Sequence, residues 1–240
     1  MPLRPEEFDA VLAQADRERL SHLEFLQRLI SGPAAWQRER SIAWRVKEAR
    51  FKEPQTFATF DWLFNAPSID RAQIEQLATG EFIRRHNNLV MVGQSGVGKS
   101  HILQAIGRQA CAQGWRVRYT TSAALLEDLR GSLADRTLAS RLRYYAKFDL
   151  LIIDEFFFDR LERMESPEAL HLLYKVIDAR NQKRSTALVT NIDFDHWGEY
   201  LGDPVLAMAL ADRIFDNAIT LKIAGNSYRA ERARALNKTT

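Results

Sequence analysis

Cysteine is all but missing from this sequence. Cys111 stands alone among 240 residues, so no internal disulfide can form and a reducing, cytoplasmic setting is expected. Long apolar runs are missing too. Purely aliphatic stretches such as Leu150 to Ile153 stop at four residues, whereas a spanning helix needs about 20, so no membrane partner is expected. The opening MPLRPEEFDA has no apolar stretch behind its charges, and a secretory leader is not expected. The five histidines show no metal-ligand spacing, which argues against a zinc site. Internal repeats and low-complexity segments are absent as well. What remains is an ordinary globular composition, 46% hydrophobic and 27% charged, of a size for one to two domains that need no covalent staple.

Charge is distributed unevenly. The net value is only +3, yet Arg38 to Lys52 carries six bases against Glu39 and Glu48. A second run, Lys222 to Lys238, carries five against Glu231. Local excesses of this kind suit a phosphate backbone, and they equally suit a solvated helix face. Arg38, Arg45 and Lys52 recur every seven residues and are the candidate contacts to double-stranded DNA.

The chain divides near residue 70. Up to that point the apolar spacing is helical, with Leu12, Leu20, Leu23, Leu26 and Ile30 at three- and four-residue steps. Gly32-Pro33 is expected to interrupt this pattern, and a second helix is expected from Ala34 to Lys52, ending before Pro54. Its apolar stripe is Ile42, Val46 and Ala49. Residues 54–70 hold two prolines and several aromatics and read as a packed connector. Residues 1–70 are therefore assigned to a helical region and connector that carry the candidate DNA contacts, and 71–240 to a second domain. In that domain a helix over 72–85 precedes short apolar strands at 88–92, 115–120, 150–154, 185–190 and 218–223, each separated by helical pattern. This alternation predicts an α/β fold, a parallel sheet flanked by helices.

Gly93-Gln94-Ser95-Gly96-Val97-Gly98-Lys99-Ser100 matches the phosphate-loop pattern G-x-x-x-x-G-K-[ST], between a strand and a helix as the motif requires. Glycines let successive N–H groups turn toward phosphate oxygens, and the helix N-terminus adds partial positive charge. Lys99 is expected to reach the β- and γ-phosphates of ATP, Ser100 to ligate Mg²⁺, and His101 to offer a backbone N–H. Downstream, the apolar strand ending in Asp154-Glu155 supplies a second Mg²⁺ ligand, Asp154, and a carboxylate, Glu155, to polarise the attacking water. A third strand ends in Thr190-Asn191, where Asn191 is placed to hold that water. Phe156-Phe157-Phe158 reads as packing rather than as a stacking platform for bases, and Cys111 as a buried packing residue.

These three elements resemble the Walker A, Walker B and sensor 1 elements of AAA+ ATPases. Three longer stretches narrow the likeness: FDWLFNAPSIDRAQIEQLATGEFI at 60–83, SPEALHLLYKVIDARNQKRSTALVTNIDFDHWGEYLGDPVLAMALADRI at 166–214, and NSYRA at 226–230. They resemble the IstB-type helper ATPases of insertion sequences, relatives of the DnaC helicase loaders. The resemblance implies an AAA+ core behind a small helical domain, and ATP-dependent self-assembly into an oligomer on DNA. It also implies assistance to a cognate transposase in target selection and integration. It places Arg213, in the pair Asp212-Arg213, as an arginine finger acting on a neighbour's ATP; read from the residues alone, such an arginine is a surface ion pair. Only 17 residues follow Ile223, too few for the helical lid, bearing a second sensor arginine, that many AAA+ proteins carry; Arg229 is read as a nucleotide or DNA contact outside the assigned site. A replicative helicase loader, or a nucleotide-gated DNA scaffold with negligible hydrolysis, are the alternatives.

Overall fold

The computed structural model describes residues 5–18, 20–156, 168–198 and 203–238. Five strands form one parallel sheet: β1 (Asn88–Val92), β2 (Val117–Thr121), β3 (Leu150–Phe156), β4 (Ser185–Thr190) and β5 (Ala218–Lys222), in the spatial order β2-β3-β4-β1-β5. Alternation along each strand builds a core on either face. Leu89, Met91, Ile152 and Val189 point to one side with Ile102, Leu103 and Ile106. Val90, Leu151, Ile153 and Leu188 point to the other with Leu125, Leu172, Val176 and Leu210. Burial on both faces explains why these strands read as continuous apolar runs.

The first core face is covered by α3 (Arg71–Ala78), α4 (Glu81–Arg84) and α5 (Lys99–Gln113), and the second by α6 (Ser122–Ala134), α7 (Leu138–Ala146), α8 (Glu168–Arg180) and α9 (Pro204–Phe215). The single helix expected over 72–85 is two pieces. Gly80 adopts φ +76°, and a side chain there would meet Gln113 and Trp115, so the chain turns at that point. Phe157 and Phe158 lie outside the described residues; Phe156 is fully buried against Trp197.

The amino-terminal region differs most from expectation. After α1 (Pro5–Glu18), a single helix α2 runs from His22 to Ala49, straight through Gly32-Pro33. A proline inside a helix costs about 3 kcal/mol, and two features offset that locally. A reciprocal Ser21/Glu24 capping box starts the helix, and its last turns are packed. There Ala49 is completely buried, Arg45 Nε donates to the Cys111 carbonyl at 2.9 Å, and Arg118 donates to the Glu48 carbonyl at 3.4 Å. The helix ends at Arg50, which takes a left-handed conformation with φ +57°, so Lys52 lies beyond it. Of the expected stripe, Leu12, Leu23 and Leu26 are exposed and Leu20 is half-buried. Phe57, Phe60 and Trp62 of the connector pack on the first core face, with Arg71 over the Trp62 ring at 5.0 Å. A final helix, α10 (Tyr228–Lys238), follows β5. Among the described residues no helix is long and apolar enough to cross a membrane.

Candidate nucleotide site

Strands β3, β4 and β1 are neighbours, so the loops leaving their carboxyl ends share one edge of the sheet. That edge is where open α/β sheets place ligands. The loop after β1 joins directly to α5. Gly93 has φ +157°, and a Cβ there would sit 2.0 Å from the Ile223 carbonyl oxygen. Backbone cannot yield that space, so the loop's first position requires glycine. Lys99 is 7% exposed and folds back over the loop, its ammonium donating to the carbonyls of Gly93 (2.6 Å) and Gln94 (2.7 Å). Desolvation lowers its pKa from 10.5 to about 8; Asp154 opposes the shift and Arg229 adds to it.

Asp154 ends the unbroken buried run of β3, Leu150 to Asp154, and both its oxygens are engaged. Oδ1 accepts from Ser100 Oγ at 2.9 Å and from the Glu155 N–H at 2.8 Å, and Oδ2 accepts from the Tyr119 hydroxyl at 2.7 Å. Burial and the adjacent carboxylate drive the Tyr119 pKa far upward, so the phenol stays a donor. Glu155 behaves differently. The β3–β4 register shifts between Ile153 and Phe156, and Glu155 takes φ +54° within that irregularity. The turn points its side chain out of the sheet into solvent, where Lys52 Nζ lies 3.5 Å from Oε1. Ser122 Oγ holds the Glu155 carbonyl at 2.8 Å. Thr190 pairs with Val92 in register and its carbonyl accepts from the Gly93 N–H at 3.2 Å. Asn191 therefore emerges, exposed, between the phosphate loop and the end of β3.

The remaining predicted residues scatter. His101 reaches the connector through Nε2, 2.8 Å from the Thr56 carbonyl, with its ring edge-on to Phe60. Arg38, Arg45 and Lys52 do not form the common face expected of them. Arg38 is exposed on α2, Arg45 is turned onto α5, and Lys52 sits beside Glu155 because the helix stops three residues earlier. Arg213 forms the surface ion pair that its residue type suggests, with Asp178 at 2.9 Å. Its carbonyl and that of Ile214 accept from the Asn88 side chain at the start of β1 (3.4 and 2.9 Å), at the sheet edge opposite the phosphate loop. The contact of Tyr119 escapes sequence reasoning, and that of Arg229 has only the short NSYRA likeness to point to it. Tyr119 looks like any strand aromatic until Thr121 is seen in register with Asp154. Arg229 lies far downstream of the loop it touches, its Nη2 donating to Ser95 Oγ at 2.8 Å.

A five-stranded parallel sheet in this order, carrying a phosphate loop after β1, an acidic pair on β3 and a polar strand end on β4, defines a P-loop fold of the AAA+ class. The family model described as IstB-like ATP binding protein (IstB_IS21) matches residues 5–235, and the chain belongs to this family. It is 33% identical over 234 residues to a protein named as the ATP-binding protein of insertion sequence IS5376 of Geobacillus stearothermophilus, covering 98% of this chain and 91% of that one. It is 32% identical to the corresponding protein of IS21 from Pseudomonas aeruginosa, with 94% and 83% coverage. Among solved structures, DnaI aligns with a TM-score of 0.58 at 20% identity, covering 71% of this chain and 91% of that one. DnaA of Aquifex aeolicus, bound to AMPPCP, aligns with a TM-score of 0.54 at 19% identity over 78% of this chain and 57% of that one. At such identities these structures establish the fold.

Proposed function

We propose that this chain is an ATP-dependent, DNA-binding helper of transposition, which assembles on DNA with bound ATP and assists a transposase. The observation that carries the ATPase reading is the convergence of Lys99, Ser100, Asp154, Glu155 and Asn191 on one sheet edge, with Ser100 Oγ and Asp154 Oδ1 2.9 Å apart. Family membership and the names of the relatives support the insertion-sequence setting.

In this reading the loop N–H groups and the α5 N-terminus hold the phosphates, and Lys99 exchanges its two loop carbonyls for phosphate oxygens. Ser100 and Asp154 suit Mg²⁺, since both offer hard oxygens to an ion that takes few protein ligands beside phosphate and water. When bound, Mg²⁺ would neutralise charge on the terminal phosphates. Tyr119 keeps Asp154 oriented. Glu155, free of the sheet ladder, accepts a proton from water, and Asn191 positions that water. Arg213 lies the length of β1 away from its own phosphate loop, about 16 Å at about 3.3 Å per residue. In this reading it serves a neighbouring subunit, and leaves Asp178 when that subunit docks.

Lys99→Ala should lose nucleotide affinity in a titration with ATP, and Glu155→Gln should keep it while losing phosphate release. Hydrolysis at the parental rate by the Glu155 variant would remove the assigned role. Retention of the parent on a duplex-DNA column only with ATP, and co-elution with the transposase, test the rest. Co-elution with a replicative helicase in its place would assign the chain to helicase loading.

A further inference from the structure

Helix α9 ends at Phe215, two residues after Arg213, and the last four carbonyls of a helix have no partner within it. The Asp212 carbonyl is taken by the Asp216 N–H at 3.0 Å. Those of Arg213 and Ile214 accept from outside the helix, from the Asn88 side-chain amide at 3.4 and 2.9 Å. Asn88 is the first residue of β1 and is 6% exposed. Its side-chain oxygen accepts from the Thr186 N–H of β4 at 2.9 Å, and its backbone N–H donates to the Asn217 carbonyl at 2.9 Å. Two carbonyls need donors here and one N–H needs an acceptor, and a single short carboxamide supplies both. Asn88 therefore ties the end of α9 to two interior strands of the sheet, β1 and β4.

Helix α8 closes the frame. Arg180 Nε donates to Thr186 Oγ1 at 3.0 Å, and Gln182 donates to the Asp216 carboxylate at 2.8 Å. Against this fixed backbone the Arg213 guanidinium lies at the surface, paired with Asp178 and Asp212 at 2.9 Å each, all three side chains partly exposed. Exposed ion pairs of this kind are worth about 0–1 kcal/mol, so the guanidinium can change partners at little cost. The backbone bonds are different, because a buried carbonyl or N–H left without its partner costs about 1–3 kcal/mol. A fixed backbone beneath an exchangeable charged tip suits a group that must meet developing charge on another molecule. We propose that Asn88 is a positioning residue for Arg213. It fixes the turn from which the guanidinium reaches the nucleotide of a neighbouring subunit, so a residue at the start of β1 governs hydrolysis in the neighbour's site and not in its own. This rests on the reading of Arg213 as serving a neighbour.

The test measures ATP binding and phosphate release by full-length subunits, alone and in mixed assemblies. Asn88→Ala should bind ATP within about twofold of the parent and keep its KM, while kcat falls about ten- to a hundredfold, as for a misplaced group. Mixed with Lys99→Ala it should recover turnover, since one subunit brings an intact loop and the other an anchored Arg213. Mixed with Arg213→Ala it should recover none, because neither subunit brings an anchored arginine. The opposite pattern would place the effect of Asn88 on its own loop, through β1, and would overturn the assignment. Parental kcat, or recovery in both mixtures or in neither, would overturn it as well. Arg213→Ala with Lys99→Ala is the reference pair. If that pair fails in mixtures shown to co-assemble, the reading of Arg213 falls, and the role of Asn88 with it; if it succeeds, the Asn88 mixtures decide alone. Asn88→Asp keeps the acceptor for Thr186 but turns an oxygen toward the two carbonyls, and should share the loss in kcat. If Asn88→Ala melts below the assay temperature, Asn88→Ser takes its place in the same mixtures.

Discussion

At the residue scale, Lys99 and Asp154 show how the candidate nucleotide site holds its charged groups. Lys99 is buried, which disfavours its charge, yet two loop carbonyls and Asp154 keep the ammonium in place. In the free protein it loses its proton near pH 8, whereas in the unfolded chain it does so near 10.5. The unfolded state therefore holds the extra proton between those values, and the stability of the free protein should gain from Lys99 as pH rises through that window. A bound triphosphate favours the ammonium, so binding above pH 8 should take up a proton and weaken as pH rises. Calorimetry of ATP binding at pH 7 and pH 9, in buffers of differing ionisation enthalpy, measures this; equal proton uptake at both would contradict it. Tyr119 yields a second expectation. Tyr119→Phe leaves Asp154 Oδ2 buried without its donor, at a cost of about 1–3 kcal/mol. Urea denaturation should record that loss as a lower midpoint at unchanged slope.

At the scale of elements, α2 is the element the structure revises most. Its carboxyl half is fastened to α5 and β2 through Arg45, Glu48 and Ala49, so it is part of the framework around the sheet. Among the arginines and lysines of α2 whose side chains are described, Arg38, Arg40 and Lys47 are exposed, with Arg40 over the Trp36 ring at 5.3 Å. If α2 contacts duplex DNA, these three carry the contact. Replacing all three by Gln should flatten the dependence of log affinity on log salt by about 0.9 for each phosphate no longer neutralised, for unrelated sequences alike. Arg45→Gln with Lys52→Gln should leave that slope unchanged. Fluorescence anisotropy over a salt series distinguishes the two sets, and an unaltered slope in the triple variant would move the DNA-binding surface off α2.

At the scale of the whole molecule, the positions of Arg213 and the phosphate loop at opposite edges of the sheet dictate how copies could cooperate. A surface carrying Arg213 meeting a surface carrying the loop is a heterologous contact, which propagates into rings or filaments. An arginine finger is worth about 10³–10⁵ in rate, so Arg213→Ala should bind ATP and hydrolyse it poorly. Mixing Arg213→Ala with Lys99→Ala subunits should restore turnover, because the first supplies a loop that holds ATP and the second an arginine. Phosphate release across mixing ratios is the measurement. No recovery in mixtures shown to co-assemble would place the arginine elsewhere.

The sequence by itself determined the parallel α/β fold and named the residues that the candidate site brings together at one sheet edge. Both are written in local signals: Gly93–Ser100 between a strand and a helix, apolar runs that survive only when buried on both faces, and Asp154-Glu155 closing one of them. Local patterns lost their force where a contact between distant segments outweighed a nearby preference. Gly32-Pro33 reads as a break, yet α2 passes through it because its ends are capped and packed. Lys52 follows Arg38 and Arg45 at heptad spacing, yet the left-handed Arg50 sends it to Glu155. Tyr119 carries no motif and Arg229 only the short NSYRA likeness; what places them is strand register in one case and the grip of Asn65 on Asn226 in the other. Only the tertiary structure decided these positions, because a hydrogen bond spanning 134 residues, such as Arg229 to Ser95, leaves no periodic trace along the chain.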